Sequence, residues 1–335
     1  MPESELVRFD VRDANHGEVP CAALLPSSRA RALPVCLFLY GGGGSRESLA
    51  ELRPALEAWW AAGALPHLLV ATPDTGAFNF YLDDPARGMF WERFVAEPFI
   101  AELRQRFGCE GTSLGVVGMS MGGYGALKLA LSRPARFAAV AAISPMLEPA
   151  FAARSVPLRN RYHYPPLVPQ ALLGPTRDPE LFERDHPVAR ARQHAAELRG
   201  SQLAIYIDAS GRDALHAHDG AEHLHRVLWQ LDIAHEYRLR RDADHIGPDI
   251  VDRLREAFAW VGAQLAPAPA PQLTAAELAW QNWLDAPTGA APADALPPTS
   301  PLYPRWLRAQ LAGLREAAAA QDPSFARRYG RLPPE

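Results

Sequence analysis

Cysteine is nearly absent: the 335-residue chain has three, Cys21, Cys36 and Cys109. Three such thiols make no disulfide framework, and Cys36 lies in an apolar run expected to be buried. Reduced thiols in a cytoplasm are the simplest account. Long hydrophobic runs are missing too, since nothing approaches the ~18 uninterrupted apolar residues of a membrane span. The acidic opening Met1-Pro2-Glu3-Ser4-Glu5 has no apolar signal core, so a cytoplasmic protein without a membrane partner is expected. Nor does one sign of charge dominate. Lys+Arg 34 stand against Asp+Glu 38, net −4 and well mixed, which leaves no electrostatic footprint for nucleic acid. What the chain does have is apolar residue, 48% of it. That is enough for one α/β core of about 200–250 residues with chain to spare.

The most informative stretch is Gly118-Met119-Ser120-Met121-Gly122-Gly123. Ahead of it, Gly115-Val116-Val117 reads as a buried strand. Behind it, Tyr124 to Leu131 is an apolar helical pattern that stops near Pro134. A G-x-S-x-G between strand and helix is the pattern of a nucleophile elbow, where small neighbours permit a very sharp turn. Ser120 is then the candidate nucleophile, and the Met121 N–H of the new helix a donor to a developing oxyanion. Upstream, the apolar run Pro34 to Tyr40 reads as a central strand that ends in Gly41-Gly42-Gly43-Gly44. The Gly42 N–H is the expected second oxyanion donor.

Serine chemistry of this kind needs a base and an acid to orient it. Leu203 to Asp208 reads as a strand, followed by the loop Ala209-Ser210-Gly211-Arg212-Asp213. Asp208 and Asp213 are both candidates; Asp213 is favoured, because a loop can turn its carboxylate back toward the site. Glu236 to Arg240 alternates like a last strand, Arg241 to His245 follows as a loop, and a helix is expected from about Pro248 to Leu265. His245 is therefore the expected base among 11 histidines. His216, His218, His223 and His225 lack the i, i+4 pairing of a zinc helix and any cysteine partner, so they read as solvated helix-surface residues. Neither a metal nor a cofactor is expected.

Two regions fall outside this machinery. Residues 147–200 hold Arg159-Asn160-Arg161-Tyr162-His163-Tyr164-Pro165-Pro166, an irregular aromatic stretch expected to lie over the site as a cap. After the catalytic domain, 1–265, comes an extension, 266–335. It opens on the semi-rigid linker Ala266-Pro267-Ala268-Pro269-Ala270-Pro271. Thr274 then caps an expected helix, Ala275 to Leu284, and a second runs from about Tyr303 to Ala320, with Trp306, Leu307, Leu311 and Leu314 at helical spacing. Trp280, Trp283 and Trp306 are costly to leave in water, so these helices are expected to dock on the catalytic domain or meet another subunit, giving a homo-oligomer.

The segment Val117 to Leu127 resembles the putative-esterase family of α/β-hydrolases. That family includes esterase D (S-formylglutathione hydrolase), feruloyl, acetyl-xylan, tributyrin and enterochelin esterases, and mycolyltransferases. Thr72-Pro73-Asp74-Thr75-Gly76, then Asn79-Phe80-Tyr81-Leu82-Asp83 and Trp91, are similar to a second family segment. Ile205 to Asp213 aligns without gaps to the family's acid-bearing loop, with the acid on Asp213, and Asp244-His245 is similar to the family's base. The resemblance covers roughly residues 5–262. It departs at Tyr40, where a histidine is frequent, at Ser210, where glycine is usual, and at Met119, where S-formylglutathione hydrolases carry histidine. The last change leads away from the glutathione-thioester branch.

The expectation is an α/β-hydrolase fold, a mostly parallel sheet with helices on both faces, acting on a small-molecule ester through Ser120, His245 and Asp213. Tyr40, Tyr81, Trp91, Tyr162 and Tyr164 are the candidate pocket. An acyltransferase would use the same triad. A thioesterase and a catalytically silent binding protein are the lesser alternatives.

Overall fold

The computed structural model describes residues 4–27, 33–149, 155, 157–161, 183–266, 273–288 and 290–321. Much of the expected cap, including Tyr162 and Tyr164, lies outside the described residues. The chain divides into two compact units, Met1–Pro267 and Ala268–Glu335.

The first unit is built on one eight-stranded sheet. Its strands are β1 (Glu5–Asp13), β2 (Gly17–Leu25), β3 (Val35–Leu39), β4 (Leu69–Pro73), β7 (Leu114–Met119), β8 (Ala139–Ile143), β9 (Ala204–Ser210) and β10 (Glu236–Arg240); β5 (Asp83–Asp84) and β6 (Met89–Phe90) form a separate small hairpin. The order across the sheet is β1-β2-β4-β3-β7-β8-β9-β10. β1 and β2 are an antiparallel hairpin, with Glu5 opposite Leu25 and Asp13 opposite Gly17, and β2 joins β4 antiparallel. From β4 to β10 every pairing is parallel.

The sequence explains the division between centre and edge. Strands covered on both faces are unbroken apolar runs, and β3 (VCLFL) and β8 (AVAAI) are buried at every residue. At the edge, β10 (EYRLR) is charged and half-exposed, which discourages a further strand from adding there. Helix Ile250–Leu265 packs on β7, β8 and helix Glu47–Ala61, while helix Met121–Leu131 packs on β7, β8 and helix Pro187–Gln193. Because the six strands from β4 to β10 run the same way, the loops that follow them meet along one edge of the sheet, where ligands bind in such folds. Cys21, Cys36 and Cys109 are free and buried. Among the described residues no helix is long and apolar enough to cross a membrane.

Charge is also buried inside this unit. Lys128, in the middle of helix Met121–Leu131, is wholly buried, with Nζ 3.1 Å from Glu92 and 3.5 Å from Asp185. Arg133 reaches Glu92 and Arg190 reaches Asp185 at 2.8 Å. Burial works against ionising Glu92, yet the charges of Lys128, Arg133 and Arg190 draw its carboxyl down to about 2. Next to Asp185, the buried His186 caps helix Pro187–Gln193, its Nδ1 accepting the Val188 N–H. Burial and the neighbouring His223 push His186 down to about 3.

Both groups make the fold acid-sensitive. A histidine held neutral when folded takes up a proton near pH ~6.5 once unfolded, so its contribution is lost as pH falls from there toward 3. The Glu92 contribution is full above the unfolded value of ~4.3 and is lost as pH falls below it. Thermal melts should therefore show Tm falling from pH ~6.5 downward. His186→Asn, whose side-chain oxygen can still cap Val188, should flatten the curve between pH ~6.5 and ~4.5. An unchanged slope in that variant would assign the acid sensitivity elsewhere.

The second unit, taken by itself, is a helical hairpin. Thr274 and Glu277 form a reciprocal capping box at the start of helix Ala275–Asp285. Trp280 is buried, edge-on to Trp283 and Trp306 at centroid separations of 5.7 and 6.2 Å, and its Nε1–H donates to the Asp294 carbonyl. Arg305, on helix Tyr303–Gln321, bonds Asp285 and the Leu284 carbonyl. The three tryptophans thus form the centre of a small apolar cluster. Leu307, Leu311 and Leu314 are exposed.

Candidate active site

The turn after β7 puts Ser120 in a conformation few non-glycine residues adopt, φ 55° and ψ −116°. The surroundings over-determine it. The Ser120 N–H donates to the Ile143 carbonyl at 2.9 Å, and its own carbonyl accepts the N–H groups of Tyr124 and Met146, each at 3.1 Å. The flanking glycines are required by contact. A Cβ on Gly118 would run into the Gly122 carbonyl, and one on Gly122 into the Leu39 carbonyl. The G-x-S-x-G spacing is what lets β7 turn into a helix against β3.

The loops after β9 and β10 bring the other two groups in. His245 Nε2 lies 2.8 Å from Ser120 Oγ, and His245 Nδ1 lies 2.8 Å from Asp213 Oδ2. Asp213 Oδ1 accepts the Leu215 N–H at 2.8 Å. All three side chains are buried. An ionised carboxylate only accepts, so Nδ1 carries the hydrogen and Nε2 is left as the acceptor facing Ser120 Oγ–H. The two loops are stitched together: Arg212 N–H donates to the Ala243 carbonyl, and Asp244 Oδ1 accepts the N–H groups of Ala214 and His245. Those two backbone bonds hold the Asp244 carboxyl below its ordinary range.

Asp208 faces elsewhere. Its Oδ1 is taken by Arg253 and its Oδ2 by Arg240 at 2.8 Å. Of the two candidate acids, the structure brings Asp213 to His245 and leaves Asp208 in an ion pair.

The glycine loop after β3 runs beside Ser120, since a Cβ on Gly41 would sit 3.5 Å from Ser120 Cβ. Gly43 N–H donates to the Ala77 carbonyl at 2.7 Å and Gly44 N–H to the Gly41 carbonyl at 3.1 Å. Among the described hydrogen bonds none engages the Gly42 N–H, and Gly42 is exposed. The Phe78 ring leans on Gly42, so a side chain there would require the ring to shift. Met121 is the first helical residue, so its N–H has no partner one turn back.

The aromatic residues expected in a pocket are placed differently. Tyr40 is buried, its hydroxyl accepting the Thr75 N–H at 2.8 Å and lying 3.3 Å from the Gly76 carbonyl. Tyr81 is buried as well and donates to the Tyr40 carbonyl at 3.3 Å. Burial pushes the Tyr40 hydroxyl up to about 12, and burial raises the Tyr81 hydroxyl as well. Both stand behind the glycine loop and support it, with their polar ends already used by protein. Trp91 stacks on His16, ring centroids 3.8 Å apart, which ties the β5–β6 hairpin to the β1–β2 turn.

The histidines read as solvated are half-buried instead. His216, His218 and Asp219 offer ligand atoms within 4.8 Å of one another. The Asp219 carboxylate, however, is held by the Arg159 guanidinium at 2.6 Å and by Asn160 at 3.2 Å. The one carboxylate of this group is thus already paired with a guanidinium.

Sequence reasoning missed Arg253, Lys128 and Phe78. Arg253 did leave a signal: it interrupts the apolar stripe of an otherwise amphipathic helix, one turn before Ala257, and is buried there.

Comparison with known proteins agrees with this architecture. The sequence profile described as "Putative esterase" matches residues 17–245, about two thirds of the chain. The diacylglycerol acyltransferase/mycolyltransferase Ag85A of Mycobacterium ulcerans is 35% identical over 104 residues, a stretch that spans 29% of this chain and 30% of that relative. A ferulic acid esterase structure superposes with TM-score 0.64 at 19% identity, covering 79% of this chain and 100% of the other. The S-formylglutathione hydrolase of Agrobacterium tumefaciens gives TM-score 0.59 at 19% identity, covering 79% and 99%. Parallel sheet, serine turn and profile lead to one assignment: the chain belongs to the putative-esterase family, on an α/β-hydrolase fold.

Proposed function

We propose that the protein is a serine carboxylic-ester hydrolase that works through an acyl-enzyme on Ser120. The observation that carries this reading is the unbroken chain Ser120 Oγ, His245 Nε2, His245 Nδ1, Asp213 Oδ2, with both links at 2.8 Å. His245 takes the Ser120 proton as the oxygen attacks the ester carbonyl, and Asp213 holds the imidazole in the tautomer that can accept it. The tetrahedral oxyanion is received by the N–H groups of Gly42 and Met121, and His245 returns the proton to the leaving alcohol. Water, deprotonated by His245 in turn, releases the acid. Side chains, backbone and water complete every step. The substrate is a small-molecule ester.

A second reading has one specific support, the stretch shared with a relative named as an acyltransferase. The acyl-enzyme is common to both, and an alcohol replaces water as the acceptor. A panel of short and long p-nitrophenyl esters, aryl esters and thioesters, run with and without a polyol acceptor, tests the pair. Ester turnover with free acid as the product supports hydrolysis, and acylated polyol as the main product supports transfer. No turnover of any donor, together with no adduct of a fluorophosphonate on Ser120 by mass spectrometry, sinks both.

A further inference from the structure

We propose that Arg253 is a positioning residue that sets the spacing of Ser120, Asp213 and His245. The proposal rests on the serine-hydrolase reading above. Arg253 is buried on helix Ile250–Leu265, and its guanidinium meets Ser144 just after β8, Asp208 on β9 and the Asp244 carbonyl in the loop that carries His245.

Toward the serine, Arg253 Nη2 donates to Ser144 Oγ at 2.7 Å. Ser144 is itself held in a left-handed conformation, φ 40°. It follows Ile143, whose carbonyl fixes the Ser120 N–H, and precedes Met146, whose N–H fixes the Ser120 carbonyl. Toward the acid, Arg253 Nε donates to Asp208 Oδ1 at 2.8 Å. Asp208 lies on β9, which leads into the Asp213 loop, and its carbonyl receives the Ser144 N–H at 2.8 Å. Ser144 Oγ also meets Ser210 Oγ at 2.8 Å, and the Ser210 carbonyl accepts the Asp213 N–H. Toward the base, Arg253 Nη1 donates at 3.1 Å to the carbonyl of Asp244, the residue before His245.

One planar group thus spans the ends of β8, β9 and β10. The guanidinium fork has fixed internal dimensions, so its acceptors cannot move independently. An ammonium group at the same place would be a point charge without that constraint. Stability does not account for the arrangement well, because a buried ion pair is often no more stabilising than apolar residues of similar volume. Geometry does, because displacement of a reacting group by about 1 Å can cost on the order of 100-fold in rate.

The test uses a short p-nitrophenyl ester and three variants: Arg253→Lys, Ser144→Ala and the double variant. Arg253→Lys should lower kcat by about 10- to 100-fold with KM little changed, and should slow fluorophosphonate labelling of Ser120 in parallel. Ser144→Ala removes one strut and leaves the Arg253–Asp208 pair in place. It should remain folded and lose kcat by a smaller factor. If Arg253 acts through Ser144, the double variant falls no further than Arg253→Lys alone. Fully additive losses would overturn the proposal, as would kcat in folded Arg253→Lys or Ser144→Ala equal to the wild type. If Arg253→Lys does not fold, a normal kcat in Ser144→Ala is enough to reject it. A wild type that neither cleaves esters nor labels at Ser120 overturns the serine-hydrolase reading first, and this proposal with it.

Discussion

Ser120→Ala should reduce kcat for ester cleavage by roughly 10⁴–10⁶-fold while leaving the melting temperature nearly unchanged. The two halves of that expectation have separate causes. Activity goes because, in the proposed acyl-enzyme mechanism, Oγ is the atom that bonds to the acyl carbon, while His245 and Asp213 only move and orient its proton. The fold stays because what holds residue 120 in its unusual conformation is backbone: the Ile143 carbonyl and the N–H groups of Tyr124 and Met146. Alanine keeps the same Cβ, so the strain at φ 55° is the same for both residues. The residue of activity left should come from oxyanion donors acting on attacking water. Turnover of a p-nitrophenyl ester by the purified variant decides the matter, with circular dichroism to certify folding. A folded variant that keeps more than a few per cent of the wild-type rate has another nucleophile.

The parts of this protein most legible in its sequence are those set by local sterics and by burial on two faces. β3 and β8 read as strands because both their faces are covered, which leaves no polar position to blur the run. The serine turn was legible because its glycines have no substitute: carbonyls fill the space that a Cβ would take at Gly118 and Gly122. Contacts between distant positions were not legible. Tyr40 and Tyr81, beside a glycine loop, look like walls of a pocket until their hydroxyls are seen bonded to protein. Trp91 was read with the site because of the segment it follows, yet its partner is His16, on the far side of the sheet order at the β1–β2 turn. Lys128 and Arg253 were hidden for a different reason. A single charge in a helical pattern reads as a solvated face, and only the assembled fold supplies the opposite charges, Glu92, Asp185 and Asp208, that let it be buried. The choice between Asp208 and Asp213 belongs with these. Both sit near the end of the same strand, and what separates them is which partner each meets in space.

That separation yields the second large effect. Asp213→Asn should lose roughly 10⁴-fold in kcat, because an amide in place of the carboxylate can donate to His245 Nδ1 and stabilise the tautomer with hydrogen on Nε2. Imidazole in that form has no lone pair to offer Ser120 Oγ–H across the 2.8 Å between them. Stability should change less, since the Asn oxygen can still accept the Leu215 N–H that Asp213 now holds. Asp208→Asn is expected to behave the other way round. Its carboxylate neutralises the buried Arg253 and pairs with Arg240, so the change leaves buried positive charge uncompensated, at a cost on the order of 3–5 kcal/mol. It touches neither His245 nor Ser120, and whatever activity it loses should be the modest, kcat-borne loss of a disturbed Arg253. Thermal melts and single-substrate kinetics on the two variants therefore separate along different axes: a nearly native melt with almost no turnover for Asp213→Asn, a depressed melt with most turnover retained for Asp208→Asn at a temperature where it is folded. Near-normal turnover in Asp213→Asn beside a folded but inactive Asp208→Asn would transfer the role of orienting acid to Asp208, and would require His245 to turn away from the carboxylate it meets in this structure.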